Sequence, residues 1–170
     1  FRTARSRRAP TAVIIPADLR EKQYQPPSHA FKEVPSSPPD VPRTTTTTTD
    51  RADIVRAADI LNAGSRVAIL IGQGARGAAE QVKQVAELTG AGVAKALRGK
   101  DVRPDDLLYV TGSSGLLGTR PSYELMRDCD TLLTVGSSFP YTQFLPDFGQ
   151  ARAVQIDADG RLIGLRFPYE

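Results

Sequence analysis

Short apolar runs alternate with amphipathic stretches over residues 50–170. Continuous apolar runs are typical of strands that are covered on both faces, as the strands of a parallel sheet are. Such runs occur at 66–71, 92–97, 107–110, 131–135 and 153–156. We predict a β-strand at each of these positions.

Three stretches beside these runs have the spacing of amphipathic helices. The first begins after Asp50, a capping residue, and ends near Gly64. Its apolar face is predicted to consist of Ile54, Ala58 and Leu61. The other two are 78–88, with Val82, Val85 and Leu88 aligned, and 121–126, which begins at Pro121.

Strands that alternate with helices favour a parallel sheet, because each helix returns the chain to the same edge by a right-handed crossover. The sequence therefore predicts an α/β fold of the Rossmann-like type, a parallel sheet with helices on both faces. Ligands of such folds bind beyond the carboxyl ends of the strands. The residues that follow each strand are thus the first candidates for a site.

The first 49 residues have a different composition. Segment 10–18 is apolar and bracketed by prolines, and we predict a short buried strand there. Residues 19–49 hold six of the 13 prolines and six consecutive threonines, which predicts an extended linker. A proline-rich ligand for a partner domain is the alternative. We therefore divide the chain into 1–18, 19–49 and 50–170, and interpret both ends as cut from a longer protein, with the last domain truncated at its C-terminus.

The formal charge of +3 belongs to residues 1–50, which hold eight Lys and Arg against five Asp and Glu; residues 51–170 hold fourteen of each. Nucleic-acid binding needs a basic face, so no nucleic acid is expected as a partner. An Arg-rich start also occurs in transit peptides, but an apolar strand follows directly. The single cysteine, Cys129, excludes an internal disulfide and fits a cytoplasmic location. No apolar run is long enough to predict a membrane span.

Small and hydroxyl-bearing residues follow the predicted strands. These segments are Gly72-Gln-Gly-Ala-Arg-Gly77, Arg98-Gly-Lys100, Thr111-Gly-Ser-Ser-Gly115, Gly136-Ser-Ser138 and Asp157. Accessible backbone N–H groups and hydroxyl groups favour a diphosphate as ligand. The first segment has the G-x-G-x-x-G pattern of a dinucleotide fingerprint, although a tight turn is an alternative reading. An ordinary NAD site also needs an acidic residue at the end of the second strand, where this chain has Ala96, Leu97 and Arg98.

Two further features bear on a ligand. Asp157 follows the last strand, where its carboxylate could accept hydrogen bonds from ribose hydroxyl groups; a turn or cap aspartate is the alternative. Phe139-Pro-Tyr141 places two aromatic residues in one loop. We expect them to pack against a planar ligand or a neighbouring domain, with simple core packing as the alternative.

No catalytic set is visible in residues 50–170. The only histidine, His29, lies in the predicted linker, and no carboxylate–histidine metal constellation occurs. Asp105 and Asp106 are expected on a solvated loop. The folded part is therefore predicted to bind a ligand without transforming it.

The motifs together resemble the central domain of pyruvate oxidases and pyruvate:quinone dehydrogenases, which depend on thiamine diphosphate. In chain order they are Gly72-Gln-Gly-Ala-Arg76 after an apolar strand, Ala96-Leu-Arg-Gly-Lys100, Gly112-Ser-Ser-Gly-Leu-Leu-Gly118, Gly136-Ser-Ser-Phe-Pro-Tyr141, Phe144-Leu-Pro146 and Gln155-Ile-Asp157 running on to Ile163-Gly164. The resemblance covers residues 51–170. Residues 10–18 also resemble the closing strand of the pyrimidine-binding domain that precedes it.

The resemblance implies an FAD site in this domain. Ser114, Gly115, Leu116 and Leu117 would wrap the extended chain of the flavin, Ser137, Ser138, Phe139, Pro140 and Tyr141 would contact its middle and flavin-proximal part, Asp157 would contact the adenosine ribose, and Gly72, Gly74 and Arg76 would lie near the diphosphate. Two departures from the family pattern bear on this site. Gly160 replaces the usual proline after Asp159, and residues 119–122 lack a glycine often found there.

The parent enzyme implied by the resemblance decarboxylates pyruvate or another 2-oxo acid and passes electrons to FAD. Its thiamine diphosphate and magnesium would be held by other domains, outside this chain. The expected partners are those domains and further copies in a homo-oligomer; contact with a membrane surface is expected only through a part beyond Glu170. The alternatives are an acetolactate-synthase-like or decarboxylase parent with structural FAD, ADP or no ligand, a structural module that has lost its ligand, and an NAD-dependent deacylase, which the lack of a histidine in the fold disfavours.

Overall fold

A computed structural model describes residues 3–4, 9–25 and 50–170. Residues 50–170 form three α-helices and a five-stranded sheet. The elements are α1 (Arg51–Ala63), β1 (Val67–Ile71), α2 (Ala79–Thr89), β2 (Gly92–Lys95), β3 (Val110–Ser113), α3 (Arg120–Asp128), β4 (Thr131–Val135) and β5 (Arg152–Ile156). Short 3-10 turns occur at Gln73–Ala78, Leu97–Gly99 and Thr142–Phe144. No helix within the described ranges is long and apolar enough to cross a membrane.

The strands lie in the order β3-β2-β1-β4-β5, and every neighbouring pair is parallel. The predicted parallel α/β fold is therefore confirmed. From β1 the chain builds the sheet outward through β2 and β3, and then crosses back to place β4 on the other side of β1. The direction of winding thus reverses between β1 and β4, and ligands of open α/β sheets commonly bind near such a reversal point.

Side chains of β1 point alternately to the two faces of the sheet, and both faces are covered by helices. Ile69 and Ile71 join the core that contains Ile60 of α1 and Val82 of α2. Ala68 and Leu70 join the core that contains Met126 of α3. All five residues of β1 are buried, which explains its unbroken apolar run.

The first two helices have the predicted extent, but the predicted apolar faces are partly wrong. The side chain of Asp50 caps α1 by accepting from the N–H of Ala52. However, Ala57, Ile60 and Leu61 face the core, while Ile54 is 56% exposed. In α2, Val82 and Ala86 are buried and Leu88 is 86% exposed. The apolar residues recur at the predicted spacing of three and four, but the face that they form is rotated around the helix from the predicted one.

The third strand lies three residues later than predicted. The apolar segment 107–110 precedes β3, and Leu108 is fully exposed. The ladder instead uses Val110–Ser113, which is at the edge of the sheet. There the hydroxyl group of Thr111 donates to the carbonyl of Val93. Polar residues suit a strand with only one neighbour, so the apolar run was a misleading signal.

Residues 9–25 are exposed, with only a 3-10 turn at Ala17–Leu19. The predicted buried strand at 10–18 is therefore absent: Val13 is 85% and Ile14 90% exposed. A strand needs a neighbouring strand to pair with, and none of the five strands of the sheet pairs with this segment. The predicted linker falls mostly on residues 26–49, which lie outside the described residues.

Candidate functional site

The loops that follow β1 and β4 meet through bare backbone at the reversal point. The N–H of Gly72 donates to the carbonyl of Val135 over 2.9 Å, and that of Gly74 to the carbonyl of Gly136 over 3.1 Å. A side chain on Gly72 would overlap the carbonyl oxygen of Gly136, and one on Gly74 would lie 2.8 Å from its Cα. Glycine is required at these positions because no Cβ fits between the two loops.

Gly99, in the loop after β2, packs on the other side of Gly72. A Cβ on Gly99 would lie 2.8 Å from the carbonyl carbon of Gly72. Gly136 has φ +58°, and a Cβ there would lie 2.5 Å from Gly74. We call Gly72, Gly99 and Gly136 the glycine junction. Gly77, by contrast, has open space around it, so no close packing explains the third glycine of the fingerprint.

Arg76 connects the loops after β1 and β2. Its Nε and Nη2 donate to the carboxylate of Asp101 over 3.0 and 3.1 Å, and Nη2 also approaches the carbonyl of Arg98 at 3.4 Å. The Arg76 hydrogen bonds lower the pKa of Asp101. Both side chains are largely exposed, so the pair is screened by solvent. In this structure the guanidinium therefore bonds to a neighbouring loop of the chain.

The loop after β3 is closed tightly at its base. The hydroxyl group of Thr119 donates to the carbonyl of Thr111 over 2.6 Å, and its N–H donates to the carbonyl of Ser113 over 2.8 Å. The same hydroxyl accepts from the N–H of Ser122 and so caps α3. The absence of a glycine at 119–122 thus does not loosen this loop, because Thr119 holds both of its ends.

The tip of this loop carries unsatisfied donors. Ser114 is 7% exposed, and within the described chain its hydroxyl group has no hydrogen-bond partner. The backbone N–H groups of residues 115–117 likewise make no hydrogen bond to any described residue. Leu116 and Leu117 are exposed. A buried hydroxyl without a partner costs free energy. Ser114 shares this property with only two other side-chain atoms among the described residues, the Nε of Arg103 and the hydroxyl of Tyr109.

The loop after β4 lies against this tip. Phe139 is buried in the second core and Tyr141 is 41% exposed; their rings form an edge-to-face pair with centroids 5.6 Å apart. A Cβ on Gly115, whose φ is +119°, would lie 3.6 Å from Phe139 and 3.7 Å from Tyr141. These are ordinary van der Waals distances, so the two loops lie close together at Gly115. Core packing accounts for Phe139, whereas Tyr141 presents its ring at the surface.

The remaining predicted residues of this loop differ in exposure. Ser137 is buried, while Ser138 and Pro140 are exposed. The N–H groups of residues 137–139 and 141 make no hydrogen bond among the described residues. The structure therefore brings together two predicted segments, 114–117 and 137–141, each with unused backbone donors.

Asp157 follows β5 at the same edge of the sheet. Its Oδ1 accepts from the N–H of Asp159 over 2.9 Å, the geometry of an aspartate turn. Asp159 is itself paired with Arg161. Gly160, which stands between them, is the residue that replaces the usual proline of the family pattern. Gln155 donates to the carbonyl of Ser137 over 3.3 Å and accepts from the N–H of Gly164 over 2.9 Å. The segment after β5 is thus attached to the loop after β4.

Asp105 and Asp106 lie on an exposed loop, as expected, but Asp105 also has a charged partner. The carboxylate of Asp105 lies 2.7 Å from the ammonium of Lys95, whose side chain is 1% exposed. Asp105 is therefore the counter-ion of a buried lysine, although its own side chain is 56% exposed. The sequence contained a signal for this pair, because a lysine inside the apolar run 92–97 has to find a partner.

No catalytic set forms within the described ranges. No group of three His, Cys, Asp or Glu there could hold a metal ion. Burial raises the pKa of the Cys129 thiol to about 12, so at neutral pH the nucleophilic thiolate is absent. The arrangement is suited to holding a ligand at the carboxyl edge of the sheet.

The fold and its loops place the chain among the Rossmann-like α/β proteins. Within them it belongs to a defined family, because the model of the thiamine pyrophosphate enzyme central domain matches residues 54–170. The expectation that this chain is a central domain of the thiamine-diphosphate-dependent enzymes is thereby confirmed.

Individual relatives agree with this assignment. A Bacillus subtilis (strain 168) protein, YdaP, whose name describes it as thiamine pyrophosphate-containing, is 36% identical over 69% of this chain. An acetolactate synthase large subunit, so named as probable, of Methanocaldococcus jannaschii is 30% identical over 65%, and the pyruvate oxidase of Lactiplantibacillus plantarum 26% identical over 66%. The matched regions cover only 20%, 20% and 19% of these three proteins.

A solved structure shares the fold. An X-ray structure described as that of a thiamin diphosphate-dependent enzyme from Mycobacterium smegmatis superposes with a TM-score of 0.56 at 20% identity, over 76% of this chain and 27% of that one. The chain thus corresponds to about a quarter of that larger protein.

Proposed function

We propose that this chain is the flavin-dinucleotide-binding central domain of a thiamine-diphosphate-dependent enzyme that decarboxylates pyruvate or a similar 2-oxo acid and passes electrons to FAD. The observation that carries the proposal is the pairing of segments 114–117 and 137–141. Both have unused backbone donors. The first also contains the unpartnered hydroxyl of Ser114, and a Cβ on its Gly115 would be in van der Waals contact with Phe139 and Tyr141 of the second.

These residues fit the chemistry of FAD. Backbone N–H groups and a hydroxyl group are suitable donors for the oxygens of a diphosphate and its attached chain. Tyr141 offers an accessible aromatic ring, and Asp157 offers a carboxylate to ribose hydroxyl groups. In this proposal Gly72 and Gly74 contribute by letting the loops approach, since their own N–H groups are already bonded.

Bound FAD would supply a two-electron acceptor, and this chain would hold it in place. Thiamine diphosphate and magnesium would be bound by the other domains of the parent. Those domains, and further copies of the chain in a cytoplasmic homo-oligomer, are the proposed partners. Arg76 is a proposed neighbour of the diphosphate. Its guanidinium would have to bind both the diphosphate and Asp101.

A second candidate is a parent that resembles acetolactate synthase, in which the domain holds FAD or ADP without redox chemistry, or holds no ligand. The 30% identity to the relative from Methanocaldococcus jannaschii favours it. The residues that hold an ADP moiety would be the same. The two candidates therefore differ in what happens to the flavin.

The test begins with the purified chain and added FAD or ADP. Ligand at about 100 times its dissociation constant should stabilise the fold by roughly 2.7 kcal/mol. That corresponds to a rise in melting temperature of roughly 5–10 °C. A melting temperature unmoved by both ligands would contradict a preformed nucleotide site.

The purified parent then separates the two candidates. Oxidised flavin is visible in an absorption spectrum. If FAD accepts electrons, anaerobic pyruvate with thiamine diphosphate and magnesium should bleach that spectrum. A flavin spectrum that pyruvate leaves unchanged would instead support the second candidate.

A further inference from the structure

Lys95 is a fully buried lysine at the carboxyl end of β2. It shares a face with Val93 and pairs in register with Ile71, inside the core beneath α2. A buried ammonium group has to be compensated, and apolar residues of similar size at such a position are often as stable or more stable. A charge at this place therefore calls for a specific reason.

All three bonds of the ammonium group go to one segment. Its Nζ donates to the carbonyl oxygens of Lys100 and Arg103 over 3.1 and 2.7 Å, and it lies 2.7 Å from the carboxylate of Asp105. An ammonium group has three donors, so the lysine is satisfied entirely by the residues that follow its own strand. Lys95 thus gathers segment 97–106 around its head group.

Lys95 and this segment together border the candidate site on two sides. Gly99 packs on Gly72 in the glycine junction. Asp101 holds Arg76, and Arg103 donates to the carbonyl of Ala79 over 2.8 Å at the start of α2. On the other side, the carbonyl of Lys95 itself accepts from the N–H of Ser114 over 2.9 Å.

We propose that Lys95 and Asp105 are a positioning pair. Together they hold segment 97–106 against the turn after β1, and through this contact they set the affinity of the carboxyl edge for its ligand. The effect on affinity rests on the proposed function. The effect on the loop does not, because it follows from the contacts of the chain alone.

Asp105→Asn is the decisive variant, and Asp106→Asn is its matched control. Both carboxylates are exposed, and they are neighbours in the chain, but only Asp105 is the counter-ion of Lys95. Amide hydrogen exchange measured by mass spectrometry reports on peptides 96–106 and 72–78. We expect at least tenfold faster exchange in both peptides for Asp105→Asn and unchanged exchange for Asp106→Asn.

Two further variants control for the buried charge and for a general loss of stability. In a Lys95→Met chain, which has no buried charge, Asp105→Asn should have no further effect on exchange. Ile60→Val, a modest core change in α1 on the β4 and β5 side of the sheet, should leave the relative protection of the two peptides unchanged. Equal exchange in Asp105→Asn and Asp106→Asn would overturn the proposal, as would an identical response to Ile60→Val.

Affinity for ADP and FAD is measured on the same proteins. We expect about a tenfold loss for Asp105→Asn and none for Asp106→Asn. Faster exchange with unchanged affinity would overturn the positioning role. If neither ligand binds even the unchanged chain, the proposed function fails, and the exchange experiment alone decides whether the pair holds the loop.

Discussion

Ser114 and Ser122 are both buried beside the candidate site, but only one has its hydroxyl group bonded. The Ser122 hydroxyl lies 2.9 Å from that of Thr111 and 3.1 Å from that of Thr119. The Ser114 hydroxyl has no partner among the described residues. The same substitution should therefore have opposite consequences at the two positions.

Ser114→Ala should leave the free energy of unfolding unchanged or raise it by up to about 1 kcal/mol, because an unsatisfied group is removed. The same change should weaken ADP and FAD binding by roughly threefold to tenfold, since a net hydrogen bond contributes about 0.5–1.5 kcal/mol. Urea unfolding and calorimetric titration measure the two effects.

Ser122→Ala is the control for this experiment. It should lower the free energy of unfolding by about 1–3 kcal/mol, because two hydroxyl groups lose a buried partner. The affinity of the folded protein should stay the same. A Ser114→Ala protein that loses stability and keeps its affinity would contradict the assigned role.

Two buried groups should make the free energy of unfolding fall at alkaline pH. Burial raises the pKa of Cys129 from 9.0 to about 12 and that of Tyr169 from 10.0 to about 12. The unfolded chain loses these protons first, so the folded chain binds more protons at alkaline pH. Stability from these groups is complete below the unfolded pKa and is lost as the pH rises toward the folded value.

Between pH 9 and 10, Cys129 should account for most of the loss in the free energy of unfolding. The slope of this loss should approach about 1.4 kcal/mol per pH unit. Denaturant unfolding of Cys129→Ala should show a smaller decline over this interval. Tyr169→Phe should change the decline chiefly above pH 10. If the free energy of unfolding falls in parallel for Cys129→Ala and the unchanged protein, the Cys129 thiol titrates alike in the folded and the unfolded state.

At the scale of single elements, α1 provides a clean test of helix phase. Ile60 is 2% exposed and Ile54 is 56% exposed, although both are isoleucines on the same helix. Ile60→Ala should cost about 2–4 kcal/mol in the free energy of unfolding, because it leaves a cavity in the core. Ile54→Ala should cost less than about 1 kcal/mol. Equal losses in thermal or urea unfolding would show that the face of α1 is wrongly assigned.

The elements themselves were largely predictable, and their errors have physical causes. Runs such as 67–71 and 131–135 are apolar throughout because both faces of a parallel strand are covered, and they were located to within a residue. The phase of α1 was not predictable in this way. Alanine contributes little to an apolar pattern, so Ala57 gave no sign of facing the core, whereas Ile54 did.

The position of β3 could not be found from hydrophobicity. Segment 110–113 is a strand because Gly112 and Thr111 fit beside β2, with φ +101° at the glycine and a hydroxyl group bonded to the neighbouring strand. These are tertiary conditions. A local apolar run three residues earlier satisfied the pattern better without satisfying the pairing.

At the scale of the whole molecule, the sequence located the edge that carries the candidate site, but not the contacts that its residues make within the fold. The order of the motifs along the chain located segments 114–117 and 137–141. The use of the Gly72 and Gly74 N–H groups within the fold, and the pairing of Arg76 with Asp101, depend on loop contacts between residues distant in sequence. Lys95 and Asp105 were missed because they are ten residues apart and meet only when the loop closes.

The chain alone should not decarboxylate pyruvate. The described residues contain no metal-binding cluster, and their only thiol is buried. With thiamine diphosphate, magnesium and FAD added, carbon dioxide release should equal that of a buffer control. Release above the control, retained after repeated purification, would show that this chain carries catalytic groups.

The glycine junction has a consequence for how this edge can change during evolution. Gly72, Gly99 and Gly136 come from three loops that are separated in sequence by more than twenty residues each. A side chain on Gly99 would overlap Gly72, one on Gly72 would overlap Gly136, and one on Gly136 would overlap Gly74 of the first loop. A substitution in one loop therefore has to be matched by backbone movement in the next. A chain that receives a single loop from a relative should fail to fold, whereas one that receives all three loops together should fold. The three loops therefore have to change together.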